Sequence, residues 1–458
     1  MIRDGHRRWL PGALVLMVAA VVVARAATLL RTDLWFDELY SLQAASGDLA
    51  GVWAAALADR VHPPGFYTIV WGWLAVVDPT PLGLRLLPFL TWLGMLAAVA
   101  WLGHRLRLGR AAVALLVLLA AVNPVLFEFG AFVRGYALLI ALLTIALTAA
   151  ASRLESPPDA APLPLPVLVV PLVLAAWIHY FAWPVIGAIA IALLVARRPR
   201  DATAVLVVPA ILILPWAVAL AGGSRDVAGA LAAFVTTPGL LDLLRAPGTL
   251  LLGGSAMVIG TVAVAVIGWE SLVQPRTVRV LLAASVVCTL GAGWLLSVLT
   301  PFGAWGMRYL SPAIVPLLAA MVLSRRASAT TRALLLALVA IGGVLGIRHP
   351  EQAPTPWREA IRTMMAAAPG DSVTAYASEG FTILPLRYHA LMMGAPLRVP
   401  EVRGLPAPDA PAGWVVIRPA ALPPGYQPTD QFRAMGRVVT DSFAVGEGQM
   451  AVRGWMVE

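Results

Sequence analysis

The chain has 458 residues, 60% of them hydrophobic and only 12% charged, and its mean hydropathy is +0.83. Soluble domains run at about 45–50% apolar and about 25% charged, so a soluble globular protein is excluded and the chain reads as a polytopic α-helical membrane protein. The formal net charge of +9 is carried by arginine, with no lysine; in a membrane protein such charges set loop orientation and do not mark a nucleic-acid partner. The single Cys288 excludes a disulfide within one chain and a cysteine cluster for metal.

In chain order, Arg3, Arg7 and Arg8 precede the apolar run Leu10–Leu30, which is long enough to span and lacks a small-residue cleavage site. The further candidate spans are Leu84–Leu102, Ala111–Phe127, Ala131–Ala151, Leu163–Ile178, Trp183–Ala196, Ala202–Ala221, Thr249–Ile267, Val280–Leu299, Tyr309–Leu323 and Ala333–Ile347. That makes about eleven segments near the ~20 residues a crossing needs. Pro64–Val77 is apolar but only about 14 residues long, a length that suits a re-entrant or juxtamembrane segment.

Parity supports that reading. With the N-terminus in the cytoplasm and Pro64–Val77 not crossing, the clusters at His104–Arg110, Arg153, Arg197–Arg200, Arg276–Arg279 and Arg325-Arg326 all fall in the cytoplasm, as the positive-inside rule prefers. The outside face then receives Asp37-Glu38, Arg60–Pro64, Glu128–Arg134, His179-Tyr180, the loop Gly222–Gly248, Thr300–Arg308 and the chain after about Arg348.

The stretch Arg348–Glu458 has ordinary polarity and short apolar runs. Helices are expected at Trp357–Met365, Phe381–His389 and Gln431–Met435, and strands at Asp371–Tyr376, Trp414–Ile417 and Arg437–Phe443. This predicts a membrane domain over 1–347 and a small extracytoplasmic α/β domain over 348–458, large enough for its own core. Pro406–Pro411 reads as a linker within it.

The candidate chemistry starts at Asp37 and Glu38, two adjacent carboxylates inside Leu34-Trp35-Phe36-Asp37-Glu38-Leu39-Tyr40. Like charges side by side in an apolar setting are costly to ionise together. Either residue can serve as a general base, and both also suit a helix N-terminus, whose dipole favours acids; spacing does not choose between them. His62, with Arg60, sits in Arg60-Val61-His62-Pro63-Pro64-Gly65-Phe66-Tyr67, where the prolines also fix a helix entry. Glu128 and Arg134 flank a tight turn before Tyr136. They can pair, or Arg134 can hold a phosphate bidentately. His179-Tyr180 suits an interfacial belt or a site, and Arg308-Tyr309 adds a second phosphate-binding candidate. Arg25 is expected to snorkel. Asp226, Asp242 and Arg245 of the outside loop cannot be ranked. Acids and bases gathered at one mouth point to a site open to bilayer and outside water.

Trp35-Phe36-Asp37-Glu38, His62-Pro63-Pro64-Gly65-Phe66-Tyr67, Arg85-Leu86-Leu87-Pro88, Arg134-Gly135-Tyr136-Ala137-Leu138 and Arg308-Tyr309-Leu310-Ser311-Pro312, in this order, resemble the GT-C fold glycosyltransferases that use polyprenyl-phosphate sugars. Protein O-mannosyltransferases, aminoarabinose transferases and bacterial mannosyltransferase-like proteins belong to that group. The resemblance is best up to about Ala151 and extends to the whole chain in architecture. Phe66-Tyr67 stands where members commonly show Leu-Tyr-Tyr. The resemblance implies transfer of a sugar from a lipid-phosphate donor to a glycan, lipid or protein acceptor at the outer face of the cytoplasmic membrane, with inversion at the anomeric carbon. It maps the family's loop acid onto Asp37, with Glu38 beside it, and the arginine of its Arg-x-Tyr segment onto Arg134; Arg134 or Arg308 can meet the anionic leaving group. His62, Glu128, Tyr136, His179, Tyr180, Arg308 and Tyr309 complete the expected substrate site. A divalent ion near Asp37, Glu128 or His179 is compatible with the chemistry, with no ligand set fixed by sequence. The rival class is a transporter or flippase for a glycolipid, which would favour repeated halves and broken midplane helices over charges gathered at one face.

Overall fold

The computed structural model describes residues 3–30, 34–155, 162–222, 237–252, 276–300, 303–323, 337, 339–342, 344, 356–367, 372–377, 380–400, 406–407, 409–418, 428–446 and 451–458. The chain is a mostly helical, multi-pass membrane protein that divides into two compact units. The first is Met1–Leu29 with Ala44–Arg348; the second is Leu30–Gln43 with His349–Glu458.

The first unit contains α1 (Arg3–Thr28), α3 (Leu49–Asp59), α4 (Gly65–Leu74), α5 (Pro81–Arg105), α6 (Arg110–Val122), α7 (Pro124–Phe129), α8 (Tyr136–Glu155), α9 (Leu165–Ile178), α10 (Ala182–Val195) and α11 (Pro199–Ala221), followed by helices at Leu240–Leu252, Arg276–Leu299, Met307–Leu310 and Ile314–Leu323. Five of these, α1, α5, α8, α11 and Arg276–Leu299, are long and apolar enough to cross a bilayer. Among the described residues the other apolar helices are shorter, and two of the expected spans are interrupted. The expected span Ala111–Phe127 breaks at Asn123-Pro124: Pro124 cannot continue α6, and Asn123 Oδ1 accepts the Leu126 N–H at 3.1 Å to start α7. The Asn123 amide also donates to the Leu250 carbonyl at 2.8 Å. Tyr309–Leu323 divides into a short helix, a 3₁₀ turn at Ser311–Ala313 and a last helix. Most of the expected spans Thr249–Ile267 and Ala333–Ile347, and Asp226, lie outside the described residues. Pro64–Val77 yields the ten-residue α4, a length that fits a segment lying short of a full crossing. The segment α3, capped by Asp48 on the Gly51 N–H, was not anticipated.

In the bundle α5 packs on α8, α8 on α9, and α10 on Arg276–Leu299. Arg25 departs from the snorkelling expectation. It is buried, donates to the Glu128 carbonyl at 3.0 Å and lies 4.6 Å from the centre of the Phe127 ring.

The second unit contains α2 (Phe36–Ala44) and a five-stranded mixed sheet of order β2-β1-β3-β5-β4: β1 (Val373–Ala377), β2 (Leu397–Arg398), β3 (Gly413–Ile417), β4 (Val439–Val445) and β5 (Val452–Val457). β1 pairs parallel with β2 and β3; β5 pairs antiparallel with β3 and β4. Alternation along the strands sorts the core. Ala375, Trp414 and Val416 pack with Trp357, Ile361, Met364, Leu386 and Ala390 from the helices Trp357–Ala367 and Gly380–Met393. Tyr376, Val415 and Ile417 pack on the other side with Phe432 of the helix Pro428–Ala434. The three expected helices and three expected strands are present with shifted ends. β2 and β5 were not foreseen, being respectively two residues long and a polar-apolar mixture at Val452–Val457.

Candidate functional site

Two glycines bring the polar segments of the first unit together. A Cβ on Gly65 would stand 2.4 Å from the Trp177 carbonyl oxygen, and one on Gly135 would stand 2.6 Å from Ile178 Cγ2 and 3.2 Å from Phe66. Only glycine lets α4 and the start of α8 close this tightly on the end of α9. The result sets His62, Arg134-Gly135-Tyr136 and His179 side by side.

The polar centre is a chain of three groups. The Tyr67 hydroxyl accepts from Arg134 NH1 at 2.8 Å and donates to Asp59 Oδ2 at 3.2 Å. Tyr67 is 1% exposed and Arg134 8%, so this cation sits out of water and reaches Asp59 through a neutral hydroxyl. His62 Nδ1 lies 3.7 Å from the same Asp59 oxygen, and its Nε2 is 3.5 Å from the Tyr136 hydroxyl. Arg60, between Asp59 and His62, caps α3 in the left-handed region at φ 59°. That conformation costs a non-glycine residue about 1–3 kcal/mol, and it turns the chain from α3 into the His62 segment.

Aromatic rings wall this centre. His62 and His179 have ring centroids 5.1 Å apart, Tyr136 and His179 5.5 Å, His179 and Tyr309 5.6 Å, and Phe181 stacks on Tyr309 at 5.6 Å. His179 Nδ1 accepts the Phe181 backbone N–H at 3.0 Å. A backbone N–H only donates, so the neutral ring carries its proton on Nε2, which has no hydrogen-bond partner among the described residues. Burial, reinforced by neighbouring His62 and Arg134, holds the His179 imidazole well below its ordinary range. It therefore stays a neutral donor at pH 7. The Tyr180 hydroxyl accepts from Trp216 Nε1 at 3.1 Å, and burial, with the Asp59 charge adding to it, pushes it up to about 12.

At the edge of the centre, Arg308 NH2 is 3.8 Å from Glu128 Oε1, and its guanidinium lies 4.6 Å from the centre of the Phe132 ring. Both members of this pair are 30% exposed, and a half-solvated ion pair contributes little to stability. The structure thus connects His62, Glu128, Arg134, Tyr136, His179, Arg308 and Tyr309 in one neighbourhood, with Tyr180 bonded to Trp216 next to it. Asp59 and the Tyr67 hydroxyl were missed as site residues; the Asp59-x-x-His62 spacing was the available signal. Asp242 accepts the Gly239 N–H at 2.8 Å as a local turn contact. Among the described residues, no three of His, Cys, Asp and Glu gather as a metal site.

Asp37 and Glu38 belong to the second unit. Glu38 is 3% exposed, and its Oε2 accepts the Trp35 N–H at 2.9 Å while its own N–H donates to the Trp35 carbonyl at 3.0 Å. That is the reach-back half of a capping box, with the acid in the first turn of α2. Asp37 precedes it, and its carbonyl accepts the Ser41 hydroxyl at 3.0 Å.

No protein-family model and no curated protein matches the chain. Solved structures do. ArnT from Cupriavidus metallidurans bound to undecaprenyl phosphate superposes with a TM-score of 0.61 at 13% identity, covering 96% of this chain and 97% of that one. The apo state of ArnT from the same organism gives 0.58 at 14% identity, covering 97% and 98%. At that identity the likeness speaks for the fold: the chain is similar to ArnT along nearly its whole length, and the GT-C resemblance read from its motifs holds at the level of architecture.

Proposed function

We propose that the chain is an inverting glycosyltransferase that moves a sugar from a polyprenyl-phosphate donor to an acceptor at the outer face of the cytoplasmic membrane. The observation that supports it furthest is Arg134: a buried guanidinium that donates to the Tyr67 hydroxyl at 2.8 Å near the His179 imidazole, in a fold similar to that of an ArnT structure bound to undecaprenyl phosphate. A preorganised cation in an apolar setting stabilises charge developing on a leaving group. In this reading Arg134 and Arg308 meet the lipid phosphate. His62, Glu128, Tyr136, His179, Tyr180 and Tyr309 line the substrate site, with the neutral Nε2–H of His179 donating to an oxygen.

The chemistry is a single displacement. An acceptor heteroatom attacks the anomeric carbon, the bond from that carbon to the phosphate oxygen breaks, and polyprenyl phosphate leaves as an anion. The acceptor's proton passes to Asp37 as general base. Glu38, which caps α2, holds the turn that presents its neighbour. The architecture that accompanies this reading is a catalytic membrane domain over 1–347, with about eleven crossings near the ~20-residue length and α4 re-entrant, and an extracytoplasmic domain over 348–458. Residues along the first-unit helices contact the lipid, and a glycan, lipid or protein supplies the acceptor.

Asp37→Asn tests the base. With purified protein in lipid nanodiscs and a panel of polyprenyl-phosphate sugars, the substitution is expected to lower transfer about 10²–10⁴-fold. Transfer at the wild-type rate would refute the assignment.

A further inference from the structure

The segment that leads into α2 is held by a residue far away in sequence. The Leu34 backbone N–H donates to His389 Nε2 at 3.3 Å, across 355 residues of chain. Leu34 and His389 are each 1% exposed. The next N–H, that of Trp35, is taken by Glu38. Two consecutive donors before the helix are thus satisfied by side chains, one local and one distant. A buried backbone N–H needs a partner, and without His389 the Leu34 donor would lose this one.

The acceptor sits on a rigid platform. His389 lies on the helix Gly380–Met393. Its neighbours Leu386 and Ala390 are packed with Trp357, Ala375 and Trp414 in the core under the sheet, and the Tyr388 ring meets the imidazole edge-on at 5.1 Å. The same Nε2 also lies 3.5 Å from the Leu34 carbonyl oxygen, so the ring nitrogen faces both polar groups of one residue. The shorter contact is to the N–H, and it forms with the neutral ring's proton on Nδ1 and Nε2 accepting.

We propose that His389 is a positioning residue: it anchors the entry of α2 and thereby sets the direction of Asp37, three residues on. The catalytic part of this proposal rests on Asp37 being the base; the anchor itself does not. It gives the second unit's helix Gly380–Met393 a task in the reaction without touching substrate.

Hydrogen exchange and turnover on the full-length protein in nanodiscs separate the two. His389→Leu removes the acceptor at similar volume; His389→Gln returns an acceptor oxygen at about the same reach. The leucine variant is expected to speed amide exchange in a peptide covering Leu34–Tyr40 about tenfold, the effect of one lost hydrogen bond. It should also lower kcat about tenfold with the donor KM within about twofold, and glutamine should restore both. If the leucine variant does not fold, His389→Asn, whose shorter amide falls short of Leu34, gives the same readout. Exchange in Leu34–Tyr40 that stays at the wild-type level overturns the anchor whatever the turnover. Faster exchange with unchanged kcat overturns the positioning role. An Asp37→Asn enzyme with full activity refutes the base instead, and with it the positioning role, while leaving the exchange result to judge the anchor.

Discussion

The two ends of α8 each carry a buried arginine, and each is answered in a different way. Arg153, in the last turn, donates directly to Asp201 Oδ2 at 2.9 Å and to the Leu163 carbonyl at 3.0 Å, with Arg198 3.8 Å from the same carboxylate. Arg134, just before the first turn, donates to the Tyr67 hydroxyl, which in turn donates to Asp59. A direct pair with a carbonyl is a staple: it ties α8, the start of α9 and α11 at the price of two desolvated ions. At the other end a buried guanidinium beside phenol and imidazole groups is suited to meet an anionic ligand. At 1.5 Å per residue the 20 residues of α8 separate these ends by about 30 Å, so one rod carries a structural end and a candidate reactive end.

Replacing the two arginines tests that contrast most severely. Arg134→Ala is expected to lower donor turnover about 10²–10³-fold. Arg153→Ala should instead lower stability by about 1–3 kcal/mol, because it removes two hydrogen bonds, one of them charge-assisted, from partly buried partners while Arg198 stays near Asp201, and the folded fraction keeps its kcat. Equal losses of activity at both ends would erase the distinction. Tyr67→Phe is a smaller cut. It removes the hydroxyl linking Arg134 to Asp59 and should cost about 1–3 kcal/mol, read as roughly a tenfold change in turnover with the donor KM also raised; an unchanged enzyme would show that the relay is idle.

The smallest expected effect concerns pH. His179 is held below its unfolded value by burial, so the folded state binds fewer protons there than the unfolded state. Its stabilising contribution is complete above about pH 6.5 and is lost as pH falls through the lowered folded value. Melting curves between pH 7 and 5 should show a decline that His179→Gln reduces. A decline of equal size in the variant would place its source elsewhere.

Much of the first-unit neighbourhood could be read in the sequence because the arginine clusters led to a topology that groups its polar residues. His62, Glu128, Arg134, His179 and Arg308 were expected on one face, and they are neighbours in the structure. What escaped was what hydropathy does not encode. Asp59 ends an eleven-residue helix, Leu49–Asp59, whose alanine-rich body shows too little contrast to stand out. Arg25 looked exposed because a lone arginine near a span end usually is, and its carbonyl and ring partners come from about 100 residues away. The break at Asn123-Pro124 was the exception: capping residue and proline were both visible, and the apolar run through them hid the turn. In the second unit, strand β5 pairs between β3 and β4 through backbone groups, which its own side chains do not announce.

The 355-residue separation of Leu34 and His389 has a consequence for biosynthesis. At roughly 5–20 residues per second, about 20–70 s pass between the emergence of the strap before α2 and that of its acceptor. Throughout that interval the acidic turn exists without its distant clasp, and β5, which must slot between two earlier strands, is made later still. The anchored form of this turn therefore belongs to the late stages of maturation: a nascent chain can make its first helices well before the Leu34 N–H meets its acceptor.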